Sequence, residues 1–153
     1  MIEHSVEYIL SFQGLGGPAP EVIGPVPEGI KVNFYNAGGE FGGPGIRGKL
    51  RSQGGDWVTV RRDGIALLDV RVTFETEDGA VILVTYPGMA DFGEEGYEKF
   101  LSGKLPPSVK LRISPRFHTS HSKYVWLNRL HCFGVGEYDP AARTATYDVY
   151  AAR

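Results

Sequence analysis

Asp56, Asp69, Arg71 and Tyr86 are the residues whose types and spacing could do chemistry in this chain. Three of them lie in GGDWVTVRRDGIALLDVRVTF, residues 54–74, which otherwise reads as two strands of valine, leucine and phenylalanine. Asp63-Gly64 is a strong hairpin signal, because a two-residue turn needs positive φ at its centre. If Arg62 pairs with Ile65, then Val58 faces Asp69 and Asp56 faces Arg71. The turn Glu77-Asp78-Gly79 adds a third strand, AVILVTY, and sets Tyr86 or Val84 opposite Arg71. The register predicts a row of Asp56, Arg71 and Tyr86 across three strands, with Asp69 on the same face.

A buried arginine must be paired, since removing one partner from a buried pair costs roughly 3–5 kcal/mol. Two carboxylates competing for one guanidinium leave one with a raised pKa, able to take or give a proton. Arg71 and Tyr86 would then hold a carbonyl, enolate or carboxylate oxygen. The expected activity is cofactor-free acid/base chemistry of isomerase, lyase, hydratase or cyclase type on a small aromatic or carbonyl compound. Asp56 or Asp69 is its acid/base, Arg71 its anion holder and Tyr86 its hydrogen-bond donor. Two alternatives stay open. One is a non-catalytic ligand-binding or structural barrel; the other makes Asp56, Asp69 and Arg71 a salt-bridge ladder on an exposed sheet.

The elements that must position these residues are strands. A chain of 153 residues suits one domain with a single core. Its 21 glycines and 10 prolines suit many turns between short strands better than helices. Val6, Tyr8, Leu10 and Phe12 alternate with polar residues; a long loop, GLGGPAPEVIGPVPEG, follows, then a strand in IKVNFYNAGG and a short one near Ile46 to Arg51. After the three charged strands, residues 87–107 form a short helix in a flap, with Tyr97, Phe100 and Leu101 spaced to cover something apolar. Strands in VKLRISPRFH, KYVWLNRLHCFGVG and TATYDVYAA complete the chain. About eight or nine strands are enough to close an antiparallel barrel, lipocalin-like in outline. The charged face reads as its interior, because a few polar groups among apolar walls define a pocket. The opposite face, with Trp57, Leu68, Val70 and Phe74, is also apolar, so a homo-oligomer partner or packed helix is expected to cover it.

Net charge of −2 gives no electrostatic case for nucleic acid. The start, MIEHSVEYILSF, has no signal-peptide pattern and no segment reaches the roughly 20 apolar residues of a membrane span, so a cytoplasmic protein is expected. Cys132 is the only cysteine, and its apolar run LHCFGV reads as a buried thiol. GPGIRGKL lacks the Ser or Thr that a phosphate loop carries after GK. His118 and His121 have no acidic residue at a telling spacing for zinc, which leaves His118 as a polar residue or general base at a barrel rim. No metal or cofactor is called for.

The succession GGEFGGPGIRGKL, GGDW, DGIALLDVRVTFETEDGAVILV, PRF and YVWLNRLHCFGVG resembles the family called domain of unknown function 3237 (DUF3237). The resemblance runs from about Phe34 to Tyr150. It implies a closed antiparallel barrel, self-association and no general assigned activity. It sets Asp56 and Trp57 of GGDW, Asp69 and Arg71 of LDVR, and Trp126 and Asn128 of WLN at characteristic positions. His118 and His121 depart from it, since an acidic residue would be expected after PRF. Ligand contacts are accordingly expected from Glu40, Trp57, Trp126, Asn128 and His118.

Overall fold

Two loops, each ending in glycine, set the register of the sheet. Arg61 donates to the carbonyl of Ile65 and Gly64 to that of Arg61, so the loop is Arg62-Asp63-Gly64, three residues rather than two. Gly64 has φ +84, the left-handed residue that such a loop requires. Thr76 and Ala80 bracket Glu77-Asp78-Gly79 in the same way, with Gly79 at φ +87. Each loop slips the predicted pairing by one residue. Asp56 therefore faces Val70, Gly55 faces Arg71 and Arg71 faces Thr85. A slip of one residue turns a strand over. Because it happens twice, the strand between the loops is inverted while its neighbours keep the predicted faces.

The computed structural model describes residues 1–153. Its strands are β1 (Val6–Gly16), β2 (Glu21–Val26), β3 (Gly29–Gly43), β4 (Ile46–Val60), β5 (Ile65–Thr76), β6 (Val81–Asp91), β7 (Val109–Ile113), β8 (Arg116–His118), β9 (His131–Asp139) and β10 (Thr144–Ala152), with α1 (Gly96–Leu101) after β6. Eight of them form a closed antiparallel barrel in the order β1-β10-β9-β7-β6-β5-β4-β3, and β1 returns to β3 from Ser11 opposite Gly42 to Gly14 opposite Gly39. β2 extends from β3, and β8 lies beside β6.

Several boundaries differ from those the sequence suggests. The glycine- and proline-rich stretch after β1 contains β2. VKLRISPRFH is divided at Ser114-Pro115 into β7 and β8, and the first half of KYVWLNRLHCFGVG is a 3₁₀ turn, Val125–Arg129. β6 continues through Pro87 to Asp91. β6 changes neighbours there, pairing β8 up to Thr85 and β7 from Gly88, so the missing proline N–H falls in the gap between them. No helix is long and apolar enough to cross a membrane.

Side-chain size decides where the barrel is full and where it is hollow. At one end Phe41 stacks on Phe74 at 4.5 Å, with Phe12 and Phe117 edge-on to Phe74 at 5.3 and 6.4 Å. Leu10, Ile82 and Val84 complete a plug with essentially no exposure, each buried side chain contributing about 1.5–3 kcal/mol. Asp78 braces this end, accepting from Thr76 Oγ1 at 2.6 Å, Lys123 Nζ at 2.8 Å and Tyr124 Oη at 2.9 Å. From Phe74 the inward positions of β5 run Val72, Val70, Leu68 and Ala66. Gly14, Gly55, Ala90 and Ala145 meet them from the other strands. These small residues leave a cavity.

Candidate functional site

The cavity measures about 140 Å³ and opens at the end of the barrel away from the phenylalanine plug. An eight-stranded barrel is wide enough for one small ligand, and a void of this size accommodates a single benzene-like ring. Its wall is mostly aliphatic and aromatic; the only charged side chains lining it are Asp56 and Arg143.

Local backbone geometry presents Asp56 to the cavity. Gly54 has φ +81, and a Cβ there would lie 2.0 Å from the Arg71 carbonyl oxygen, so β4 can bend hard against β5 only with glycine at this position. The β4–β5 ladder resumes through Asp56 opposite Val70, then lapses until Thr59 opposite Leu67. In that gap the Asp69 amide donates to Asp56 Oδ1 at 2.9 Å. The carboxyl is half-buried, and burial raises its pKa from the ordinary 3.8 to about 7. The Asp69 amide works against this rise, while the Asp69 charge adds to it. A carboxyl shifted into this range carries both acid and base forms at neutral pH.

Two phenols stand beside it. Tyr86, from β6, and Tyr147, from β10, are buried and meet edge to face at 5.8 Å. Phe12 stacks on Tyr147 at 4.6 Å and holds both rings. Burial pushes the pKa of each phenol well up; the Tyr147 and Asp56 charges add to the rise at Tyr86, and the Asp56 charge to that at Tyr147. Both therefore remain neutral hydroxyls. A neutral phenol in an apolar site donates a hydrogen bond to a carbonyl oxygen and strengthens that bond as the oxygen gains charge.

The mouth is built from the end of β1 and the loop after it, with Leu15 to Pro18 and Pro20, from Tyr35 and Asn36 of β3, and from Phe92, Phe100 and Leu105 around α1. Phe92 and Phe100 pack edge to face at 6.1 Å. The segment expected to be a flap thus lies at the opening, with Tyr97 buried and Leu101 exposed.

Of the expected site residues, the structure brings only Asp56 and Tyr86 together. Asp69 and Arg71 are on the outer face of inverted β5, 3.5 Å apart and each more than half exposed. Arg71 sits over the ring of Trp57 at 5.8 Å, itself exposed on the outside. This corrects the predicted interior row: the loops are one residue longer, and on β5 the interior face is that of Val70, Val72 and Phe74. Glu40 is exposed beside Gln13 and Lys49 on the outer surface. His118 points outward next to inward Phe117, and Trp126 is exposed on the 3₁₀ turn. Asn128 clamps its own loop, accepting from the Thr119 amide at 2.9 Å and donating to the Thr119 carbonyl at 2.8 Å. No three His, Cys, Asp or Glu side chains converge as a metal site would need. Sequence reasoning missed Tyr147 and Arg143. The alternation in TATYDVYAA, which turns Ala145, Tyr147 and Val149 to one side, is the signal that could have found the tyrosine.

A family model described as "Protein of unknown function (DUF3237)" matches residues 5–152. A UPF0311 protein of Rhodopseudomonas palustris (strain TIE-1) is 33% identical over 129 residues, 83% of each chain. Among solved structures, a β-barrel-like protein from Acinetobacter baumannii matches with a TM-score of 0.84 at 26% identity, covering 100% of this chain and 98% of that one. An enzyme from Penicillium herquei matches with a TM-score of 0.70 at 24% identity, covering 100% and 97%. The last likeness is one of fold.

Proposed function

Because the chain belongs to the DUF3237 family, whose description assigns no activity, we propose a function from its cavity: cofactor-free acid/base catalysis on a small carbonyl compound carrying one aromatic ring. The observation that carries this reading is a single carboxyl, its pKa lifted toward 7 by burial, beside two neutral phenols in a mostly apolar cavity. Asp56 as carboxylate takes a proton from the carbon next to the carbonyl. The electron pair of that C–H bond moves into the new C=C bond, and the carbonyl oxygen becomes an enolate held by the Tyr86 and Tyr147 hydroxyls. Where the enolate is conjugated with a second C=C bond, return of the proton from Asp56 to the far end of that system shifts the double bond and completes an isomerisation. Departure of a β-hydroxyl with that proton, as water, completes a dehydration. Cyclisation uses the same groups: Asp56 takes the proton of a hydroxyl as its oxygen adds to the β-carbon of a conjugated C=C bond, the π pair moves onto the carbonyl oxygen as an enolate held by the phenols, and Asp56 returns the proton to the α-carbon. Arg71, exposed outside the barrel, has no part in it.

A reporter that needs no knowledge of the product is deuterium uptake. Phenylacetone in D₂O should exchange its benzylic protons faster with the protein than without it, and the rate should rise with pH through a midpoint of about 7. Asp56→Asn should remove the acceleration. The apolar predominance of the wall favours a second reading, a barrel that binds a ring without acting on it. Phenylacetone that binds and exchanges no faster than in buffer would select that reading.

A further inference from the structure

The residue of the cavity that the proposed chemistry leaves unused is Arg143. It lies in the loop between β9 and β10, just before β10 begins at Thr144. Ala145 and Tyr147 of β10 and Arg143 before it all line the cavity. The arginine side chain lines the mouth, near enough to half-buried Tyr138 for its charge to offset part of the rise that burial causes in that phenol's pKa. It is the one cation of the lining. Unlike Arg51, Arg61, Arg71 and Arg153, it has no carboxylate partner.

Arg143 is also held in place. Its Nη1 donates to the Gly17 carbonyl at 3.1 Å, and its own carbonyl accepts from the Gly16 amide at 2.7 Å. It is the only non-glycine residue with positive φ, at +54, a conformation that glycine or asparagine adopts at lower cost. Arg143 is exposed at the rim, and a tethered guanidinium with open donors at the mouth of an apolar cavity is an arrangement that recognises a carboxylate. Four residue steps along the chain separate Arg143 from Tyr147, at most about 13 Å of backbone.

We propose that Arg143 holds the anionic group of the natural ligand, which is therefore a small aromatic carboxylate. Its carboxylate lies at the mouth on the guanidinium, and its ring and reacting end lie inward toward Asp56, Tyr86 and Tyr147. This rests on the cavity being the ligand site and names the class of compound that fills it.

The test compares cinnamate with cinnamamide, which have nearly the same shape and differ in charge. Binding is followed by NMR shifts of Tyr147 and Ala145 in wild type, Arg143→Gln and Arg143→Lys. Cinnamate should bind the wild type about tenfold more tightly than cinnamamide, and added salt should narrow the difference. Arg143→Gln should abolish the preference by weakening cinnamate far more than cinnamamide, and Arg143→Lys should restore part of it. Equal affinities in wild type, or a preference that survives Arg143→Gln, would overturn the proposal. Probes that leave Tyr147 and Ala145 unmoved would overturn it together with the cavity reading. Charge preference without deuterium uptake by phenylacetone would sustain it while removing the catalytic reading.

Discussion

Replacing Asp56 with asparagine should make the protein more stable at alkaline pH and leave it unchanged in acid. A pKa raised from 3.8 to about 7 means that ionising Asp56 in the fold costs about 4 kcal/mol more than in the unfolded chain, at about 1.4 kcal/mol per pH unit. Its partial exposure trims this to about 2–4 kcal/mol. Below about pH 4 the carboxyl is protonated in both states and contributes nothing. Between about 4 and 7 the unfolded chain releases the proton while the folded chain keeps it, so wild-type stability falls as pH rises. Above about 7 the full cost is present. Asparagine has no charge to desolvate, and its Oδ1 can still accept from the Asp69 amide. Urea denaturation of both proteins at pH 4 and pH 8.5 measures the difference. The variant should gain about 2–4 kcal/mol at pH 8.5, against a total stability of roughly 5–15 kcal/mol, and less than about 0.5 kcal/mol at pH 4. An equal difference at the two pH values, or a less stable variant at pH 8.5, would refute the claim that burial strains this carboxylate.

Tyr86→Phe keeps the ring against Phe12 and Tyr147 and removes one oxygen-holding hydroxyl, so the deuterium exchange rate should fall about a hundredfold with the urea midpoint nearly unchanged. Arg71→Met breaks only an exposed pair and a cation–π contact, and should cost less than about 1 kcal/mol by the same denaturation, with cinnamate affinity unaltered. Gly64→Ala puts a Cβ 1.7 Å from the Gly93 carbonyl oxygen at a φ of +84. It should lose more than about 3 kcal/mol, and a soluble yield equal to wild type would contradict this. Exposed Trp57, Leu67, Leu83 and Met89 on the outer face of β4 to β6 give the expected self-association a surface. Sedimentation should return a mass above the 16.8 kDa chain, reduced by Leu67→Lys, whereas a wild-type monomer would contradict it.

The barrel is legible in the alternation of the charged strands and of TATYDVYAA, because period two survives whatever the loops do; in Val6 to Phe12 a bulge between Tyr8 and Leu10 breaks the alternation, leaving Val6 and Tyr8 exposed and both Ile9 and Leu10 buried. The parity of β5 is not. Asp63-Gly64 and Glu77-Asp78-Gly79 announce turns, yet two-residue and three-residue loops share that composition, and a single residue decides whether Asp69 and Arg71 or Leu68 and Val70 face inward. Asp56 and Tyr86 were found because the two slips cancel across β5. Phe12, Tyr138, Tyr147 and Arg143 come from strands distant in the chain, and only closure of β1 on β3 and β10 sets them opposite Asp56. No local pattern records that closure. The hollow itself is written in small residues, Gly55, Ala66, Ala90 and Ala145, whose effect appears only once they share one level of the barrel.

Acid/base catalysis in this cavity depends on the ionisation of one side chain. Titration of the Asp56 carboxyl carbon by ¹³C NMR, assigned with Asp56→Asn, measures it in the free protein. A midpoint of about 7 is predicted, well apart from the other aspartates. A midpoint near the ordinary 3.8 would contradict the account, since Asp56 would then be a plain carboxylate at neutral pH with no proton to give.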